Sequence, residues 1–580
     1  MGRTFLTLCL LASAATRASA QPVSAEAMPL ADIRAGQQGV VWTVFQGTKP
    51  EPFAVEVTGV VLNALGPGKS IILCRLTDPR VQDMGAVAGM SGSPLYIDGR
   101  FAGALSYQMQ HFETVRYAGF TPAADMAEVG DRVAAPPADA SPPAGSASDS
   151  GPAFRAMKPV FALGGVSPRT ASIMGPEFET LGLGVMAVGG SSQGQEAGAA
   201  QPASRALQPG DAVSVALTTG DITLAGTGTV SRVDGNRVTA FGHPMLGLGD
   251  VQLPMCSAEV VAILPSTNES YKIANIGPVI GSITQDRLSA VSGLLGAGPE
   301  MTDVQVITGK SGAPHTIHFQ VVRDKRIAPM VMLTGVVEGV FGSNENEASE
   351  GFRIVSTVNF SPTQQITREA VYASEQGFQA GLYEFLVGLS AELQNPFEKA
   401  LPTTVQFRIE PLDANPAVTV EQFQVSRSTV RAGETFQVTL GWRNFQGAED
   451  SRTVDIPVDP SWAGKTLEVI VAPGRVLDEL TGHGRMFRPG QLRSFDAYLD
   501  AMKGSRPEDG LCIAVVEKSA LFFDQAVSTP EAPASIERIA GDADSARYQR
   551  RDALIPLWET RILQGKVTFT DFHRTVRVVE

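Results

Sequence analysis

The chain predicts a mainly β, multidomain protein, and three observations carry that prediction. Its 59 glycines and 38 prolines punctuate many short runs rich in Val, Ile and Thr, the residue types that suit a pleated, half-buried surface. At 580 residues the chain exceeds a single core and implies roughly three or four domains. Asp98-Gly99 and Asp234-Gly235 each lie between alternating apolar residues, a strong hairpin signal because such turn positions tolerate φ > 0.

The elements follow in chain order. Residues 1–20 read as an export signal: Arg3 supplies the charged start, Phe5 to Ala15 the apolar run, and Ala18-Ser19-Ala20 the small-residue cleavage site before Gln21. Cys9 lies too early to become a lipid-modified first residue, so release into the periplasm or medium is expected. Residues 25–130 form a first β block, with strands at 39–45, 53–62 and 70–76 ahead of a glycine-rich turn and its hairpin. Residues 131–154 turn to Ala, Pro, Ser, Gly and Asp, a composition too polar to offset its ordering entropy, and predict a flexible linker. A second β-rich lobe spans 155–350, with an inserted loop near 189–204.

Within a helical segment at 360–400, Ala370, Ala373, Phe378, Leu382, Phe385, Leu386 and Leu389 recur at helical spacing and predict a helix from Ile366 to Leu393, ended by Asn395-Pro396. Residues 412–475 return to alternation and predict a β-sandwich-like domain with Thr419, Gln422, Gln424, Thr429 and Arg431 facing outward. Residues 476–580 mix helical and strand signals and close on an alternating strand, Lys566 to Val579.

Several classes are disfavoured by composition. Beyond the signal only Cys74, Cys256 and Cys512 remain, an odd and sparse set for a disulfide framework. The six histidines are scattered without metal-ligand spacing, so neither a metal nor a cofactor is expected. A net charge of -14 argues against a nucleic-acid surface. No apolar run after the signal reaches the ~18 residues of a membrane span.

The chemistry concentrates in Gly89-Met90-Ser91-Gly92-Ser93-Pro94. Attack on an acyl carbon needs a hydroxyl on a tight turn, where small neighbours let substrate and backbone N–H groups approach. Ser91 would be the nucleophile, and the N–H groups of Gly89 and Ser91 would form the oxyanion hole. The plain alternative is a glycine-rich turn feeding a hairpin, with Ser93 shaping the turn. A hydroxyl needs a base, and His243 in Gly242-His243-Pro244 follows a strand, with an ordinary pKa of ~6.5 that suits the role. His111 is a competitor by its closeness to Ser91 in the chain; His483 sits in a Gly-His-Gly step without strand context, and His315, His318 and His573 have no supporting pattern.

Gly89 to Pro94, with the following Asp98-Gly99-Arg100-Phe101-Ala102-Gly103-Ala104-Leu105, resembles the nucleophile motif of the SpoIVB peptidase family, secreted bacterial serine peptidases. Leu76-Thr77-Asp78-Pro79-Arg80 is similar to the family's segment before the nucleophile, and Ala118-Gly119-Phe120-Thr121-Pro122 to the strand closing that half. Ala240-Phe241-Gly242-His243-Pro244 resembles the box around the family's catalytic histidine. Here this box follows the serine instead of preceding it, and no separate PDZ module is evident; the likeness spans about residues 30–300.

The resemblance implies a chymotrypsin-like, two-lobed β-barrel peptidase region, with the Ser lobe at 25–130 and the His lobe at 155–350. A third group orienting the imidazole would be Asp78, at the family's aspartate position, or Ser106, where the family has a threonine hydroxyl. A Thr-Asp-Pro-Arg stretch also reads as a turn in which the aspartate bonds its own backbone. The activity implied is acyl transfer by a serine endopeptidase acting on few protein or peptide substrates, itself among them. The other reading is a catalytically inactive exported β-rich binding or scaffold protein that meets a cell-surface protein through its C-terminal β region.

Overall fold

The computed structural model describes residues 25–109, 116–132, 154–157, 159–187, 206–265, 270–309, 314–342, 350–393, 395, 397, 401–482, 494–524, 527–530, 535 and 548–580. The predicted signal, nearly all of the 131–154 linker, the 189–204 loop, His111 and His483 lie outside the described residues.

The mainly β, chymotrypsin-like reading holds. The first lobe contains β1 (Gln38–Val44), β2 (Pro50–Val61), β3 (Ile71–Leu76), β4 (Pro94–Ile97), β5 (Arg100–Met109) and β6 (Tyr117–Pro122). Their order is β4-β1-β2-β3-β6-β5, and the β4–β5 pairing closes them into a six-stranded barrel. Asp98 and Gly99 make the two-residue turn of the β4–β5 hairpin with φ of 51° and 76°, as their residue types require. Val41, Val55, Ile72, Leu95, Ile97 and Phe120 fill the interior. A short strand β7 (Phe154–Ala156) adds to β5, and helices α1 (Pro79–Met84) and α2 (Ala123–Gly130) flank the barrel.

The second lobe is larger. It contains β8 (Val160–Gly164), helix α3 (Pro168–Thr180), β9 (Gly184–Ala187), β10 (Ala212–Gly220), β11 (Thr223–Asp234), β12 (Arg237–Ala240), β13 (Gly249–Leu264), β14 (Tyr271–Arg287) and β15 (Ala290–Leu295). Strands β10-β13-β14-β15-β12-β11 run edge to edge, and β10 returns to β11, so a second ring of six strands closes.

The same sheet continues through β16 (Met301–Thr308), β17 (His315–Val322), β18 (Phe352–Ser361), β19 (Gln364–Tyr372) and β20 (Thr404–Pro411). Helix α4 (Ala328–Phe341) is buried along nearly its whole length against it; an all-round apolar helix must be an interior one. Gly335 and Gly339 let α4 approach the sheet, because a Cβ there would stand 2.5 Å from the Phe319 ring and 2.7 Å from Val306.

One predicted element is corrected. The helix expected over Ile366 to Leu393 begins only at α5 (Glu375–Ala380) and continues as α6 (Leu382–Leu393), whereas Gln364–Tyr372 is β19. There Ile366, Arg368 and Ala370 point inward while Thr367 and Glu369 stay exposed, a period of two set by pairing with β18. The Ala370 and Ala373 spacing mimicked a helix because small residues fit either period. Ser374 marks the true start, its Oγ accepting from the Gly377 N–H at 3.0 Å.

Beyond β20, strands Val418–Val425, Thr435–Asn444 and Glu449–Pro457 form one sheet of a sandwich. Its second sheet joins Thr429–Arg431 and Thr466–Ala472 to Leu511–Asp524, Val527–Pro530, Tyr548–Leu563 and Phe572–Val579, so the C-terminal region completes this domain. Trp442, Trp462 and Phe436 share one core with Val469, Ile513 and Val576. Thr419, Gln422, Gln424, Thr429 and Arg431 are exposed.

Candidate active site

The Ser91 loop joins α1 to β4 and is gripped by β11 of the other lobe. The Thr229 hydroxyl donates to the Gly89 carbonyl at 3.0 Å, the Thr229 N–H to the Ser91 carbonyl at 2.8 Å, and the Ser231 hydroxyl to the Gly92 carbonyl at 2.7 Å. Gly89 and Gly92 have φ of 94° and 95°, a region glycine enters without steric cost. A Cβ on Gly92 would stand 2.0 Å from the Thr229 carbonyl oxygen, so the barrels meet backbone to backbone here.

The loop's N–H groups divide into two sets. Met90 N–H donates to Val87, Gly92 to Leu105 and Ser93 to Met90. No hydrogen bond among the described residues takes up the N–H of Gly89 or Ser91. These are the two groups expected to serve an oxyanion. The Ser93 hydroxyl donates to the Met90 carbonyl at 2.6 Å and so fixes the turn.

The histidine is delivered by β12, the partner of β11 in a hairpin. Phe241 and Gly242 follow with φ of 67° and 69°, and the Gly242 N–H donates to the Ala240 carbonyl at 2.8 Å. This is a γ-turn centred on a bulky residue, a strained conformation held by its surroundings. The Phe241 ring is fully buried and lies on Gly228, where a Cβ would meet it at 2.7 Å. It also packs edge-on against the imidazole, with centroids 6.1 Å apart.

His243 donates from Nδ1 to the carbonyl of Pro244 at 2.7 Å. A carbonyl can only accept, so Nδ1 carries the hydrogen and Nε2 holds a lone pair. Burial pushes the ring's pKa down to about 4, which keeps it neutral at ordinary pH. The Ser91 hydroxyl and His243 Nε2 are both buried and both lack a hydrogen-bond partner, so the two are not bonded to each other in this state.

Neither expected orienting group hydrogen-bonds the ring. Asp78 caps α1: its Oδ1 accepts from the Arg80 N–H at 2.9 Å and its Oδ2 pairs with the Arg80 guanidinium at 3.1 Å. Those contacts hold its carboxyl below the usual range. Ser106 Oγ lies 2.6 Å from the Ala104 carbonyl and 2.7 Å from Thr121 Oγ1. Thr121 in turn donates to the Gly242 carbonyl at 2.6 Å. The serine is therefore linked, through Thr121, to the peptide just before the histidine.

Four contributors carried no motif signal. The buried Asp286 carboxylate accepts the N–H groups of Met245 at 2.7 Å and Leu246 at 2.8 Å, cradling the chain after Pro244; burial raises its pKa against those bonds. Thr229 and Ser231 read as ordinary strand residues. Lys272 lays its stem across Gly89, where a Cβ would meet the lysine's Cβ at 3.0 Å. Among the described residues no group of three His, Cys, Asp or Glu side chains is placed to hold a metal.

Residues 12–121 match the SpoIVB peptidase S55 family model. The match takes in Asp78, Gly89, Ser91, Ser106 and Thr121, and it ends before the second lobe, so His243 lies outside it. A SpoIVB-type serine peptidase domain, hence a hydrolase acting on protein, is what this match supports. No curated protein and no solved structure gave a match. The expected likeness to this peptidase across 30–300 is thus supported over its first lobe.

Proposed function

We propose that the chain is an exported serine endopeptidase of narrow substrate range, with Ser91 as nucleophile and His243 as general base. One relationship carries the reading: the β11–β12 hairpin grips the Ser91 loop with one strand and ends its other strand in a histidine whose Nε2 lone pair is free. In the reaction Nε2 takes the Ser91 proton as Oγ attacks the scissile carbonyl. The oxyanion is met by the N–H groups of Gly89 and Ser91. The imidazolium then gives its proton to the leaving amine, and water repeats the sequence on the acyl-enzyme. The Pro244 carbonyl keeps the ring in one tautomer throughout. Export rests on the N-terminal signal pattern, and a mature protein beginning at Gln21 is the expected product.

A fluorophosphonate probe tests the nucleophile. The native protein should be labelled, Ser91→Ala should not, and His243→Ala should react about 10³-fold more slowly. Labelling of Ser91→Ala at the native rate removes Ser91 from this role.

A second reading, an inactive exported scaffold, is favoured by the absent Ser91–His243 hydrogen bond. It requires partner binding that survives His243→Ala together with no labelling of the native protein.

A further inference from the structure

We infer that the β13–β14 hairpin is a strap over the oxyanion side of the Ser91 loop, latched by Lys272, and that it must lift before a polypeptide can reach Ser91. This rests on Ser91 being the nucleophile for its meaning, and on separate contacts for its existence.

The hairpin grows out of the second barrel and crosses to the first. Val260 and Gly47 exchange backbone hydrogen bonds of 2.7 and 2.9 Å. Ala88 N–H donates to the Ser270 carbonyl at 2.8 Å, and Lys272 N–H to the Ala88 carbonyl at 2.9 Å. Ser270 Oγ donates to the Met84 carbonyl at 3.0 Å. The strap's backbone therefore pairs with the residue directly before Gly89. The Lys272 stem covers the Gly89 Cα, and its Nζ donates to Thr43 Oγ1 at 2.8 Å.

A substrate carbonyl cannot reach a nucleophile that is 1 % exposed, nor a base that is 0 % exposed. Some element has to move, and β11 cannot, because its bonds shape the loop and its hairpin carries the histidine. The strap is the expendable cover. Its latch is Lys272, a residue 6 % exposed whose amine has no carboxylate partner among the described residues, a burial that costs free energy and leaves the closed contact only weakly favoured. Burial lowers the Lys272 pKa to about 7, so closure at neutral pH does not trap a full charge.

The experiment reads exposure apart from chemistry. In Ser91→Cys, alkylation of the new thiol by iodoacetamide is compared with and without the added changes Ser270→Ala and Lys272→Met, which cut the latch but keep the stem. Alkylation about tenfold faster in the unlatched chain is expected, alongside faster fluorophosphonate labelling when Ser91 is retained. Equal alkylation rates overturn the strap. Latch-dependent alkylation without any labelling of the Ser91 chain overturns the nucleophile and leaves the strap standing. As a second variant, Ala88→Cys with Tyr271→Cys, at facing positions of the bridge, should lose labelling when oxidised and regain it on reduction; labelling at one rate in both states, with the disulfide confirmed by mass, also overturns the strap.

Discussion

A Cβ on Gly92 would stand 2.4 Å from the backbone nitrogen of Phe241. The residue after the serine and the strained residue before the Gly-His step thus occupy the same seam between barrels. Two segments far apart in the chain are placed by one backbone contact, with no room for a side chain between them.

Gly92→Ala should therefore be severe. The methyl would overlap the Thr229 carbonyl oxygen, and φ of 95° is foreign to alanine. A loss of about 3 kcal/mol or more is expected in urea unfolding, because backbone cannot repack as side chains do. A midpoint unchanged from the native protein would show that the barrels do not meet this way.

Thr121→Val removes the donor to the Gly242 carbonyl and leaves a buried acceptor unsatisfied, at about 1–3 kcal/mol. Fluorophosphonate labelling should slow about tenfold as the γ-turn loosens its hold on His243. Thr121→Ser, which keeps the hydroxyl, should recover the native rate. A merely structural role would lower stability in the valine variant without this rate difference among molecules still folded.

Asp286→Asn keeps the shape but points an amide group at N–H donors that now share one carboxylate. A loss of about 2–4 kcal/mol is expected. Labelling at Ser91 should fall with it, since the cradled chain begins two residues after His243. Native unfolding and labelling in this variant would show the cradle to be dispensable.

The His243 ring sets a pH dependence of stability. Its pKa is about 4 when folded against 6.5 ordinarily, so between those values the unfolded chain binds the proton and the native one does not. Stability is then full above pH 6.5 and falls as pH drops toward 4, by up to about 3 kcal/mol. Urea titrations at pH 7.5 and 4.5 should show a smaller drop in His243→Gln than in the native chain. Equal drops would mean that the ring is not buried in its neutral form.

Much of this site was legible in the residues themselves. Gly89, Ser91 and Gly92 announce a tight turn by composition, and Asp98-Gly99 announces the hairpin after it, because turn chemistry is local. The strand and glycine ahead of His243 mark it as a candidate base by local context alone. Asp78 stands in a Thr-Asp-Pro-Arg stretch that also reads as a turn in which the aspartate bonds its own backbone, and that local bond, to the Arg80 N–H, is the one that formed. Asp286, Thr229, Ser231 and Lys272 sit in unremarkable strands, and nothing near them in sequence says what they face.

By itself the sequence determined the strand-rich class, the glycine turns and the candidate residues for acyl chemistry, since φ preference, side-chain period and functional groups belong to each residue and its neighbours. Tertiary structure decided which strands close into the two rings, that β11 grips the serine loop while the Pro244 carbonyl rather than Asp78 or Ser106 bonds the imidazole, and that a hairpin from the second lobe packs against that loop. The rings, the grip and the packed hairpin depend on hydrogen bonds and close backbone approaches between segments hundreds of ångströms of extended chain apart, and such pairings exist only once both barrels have closed.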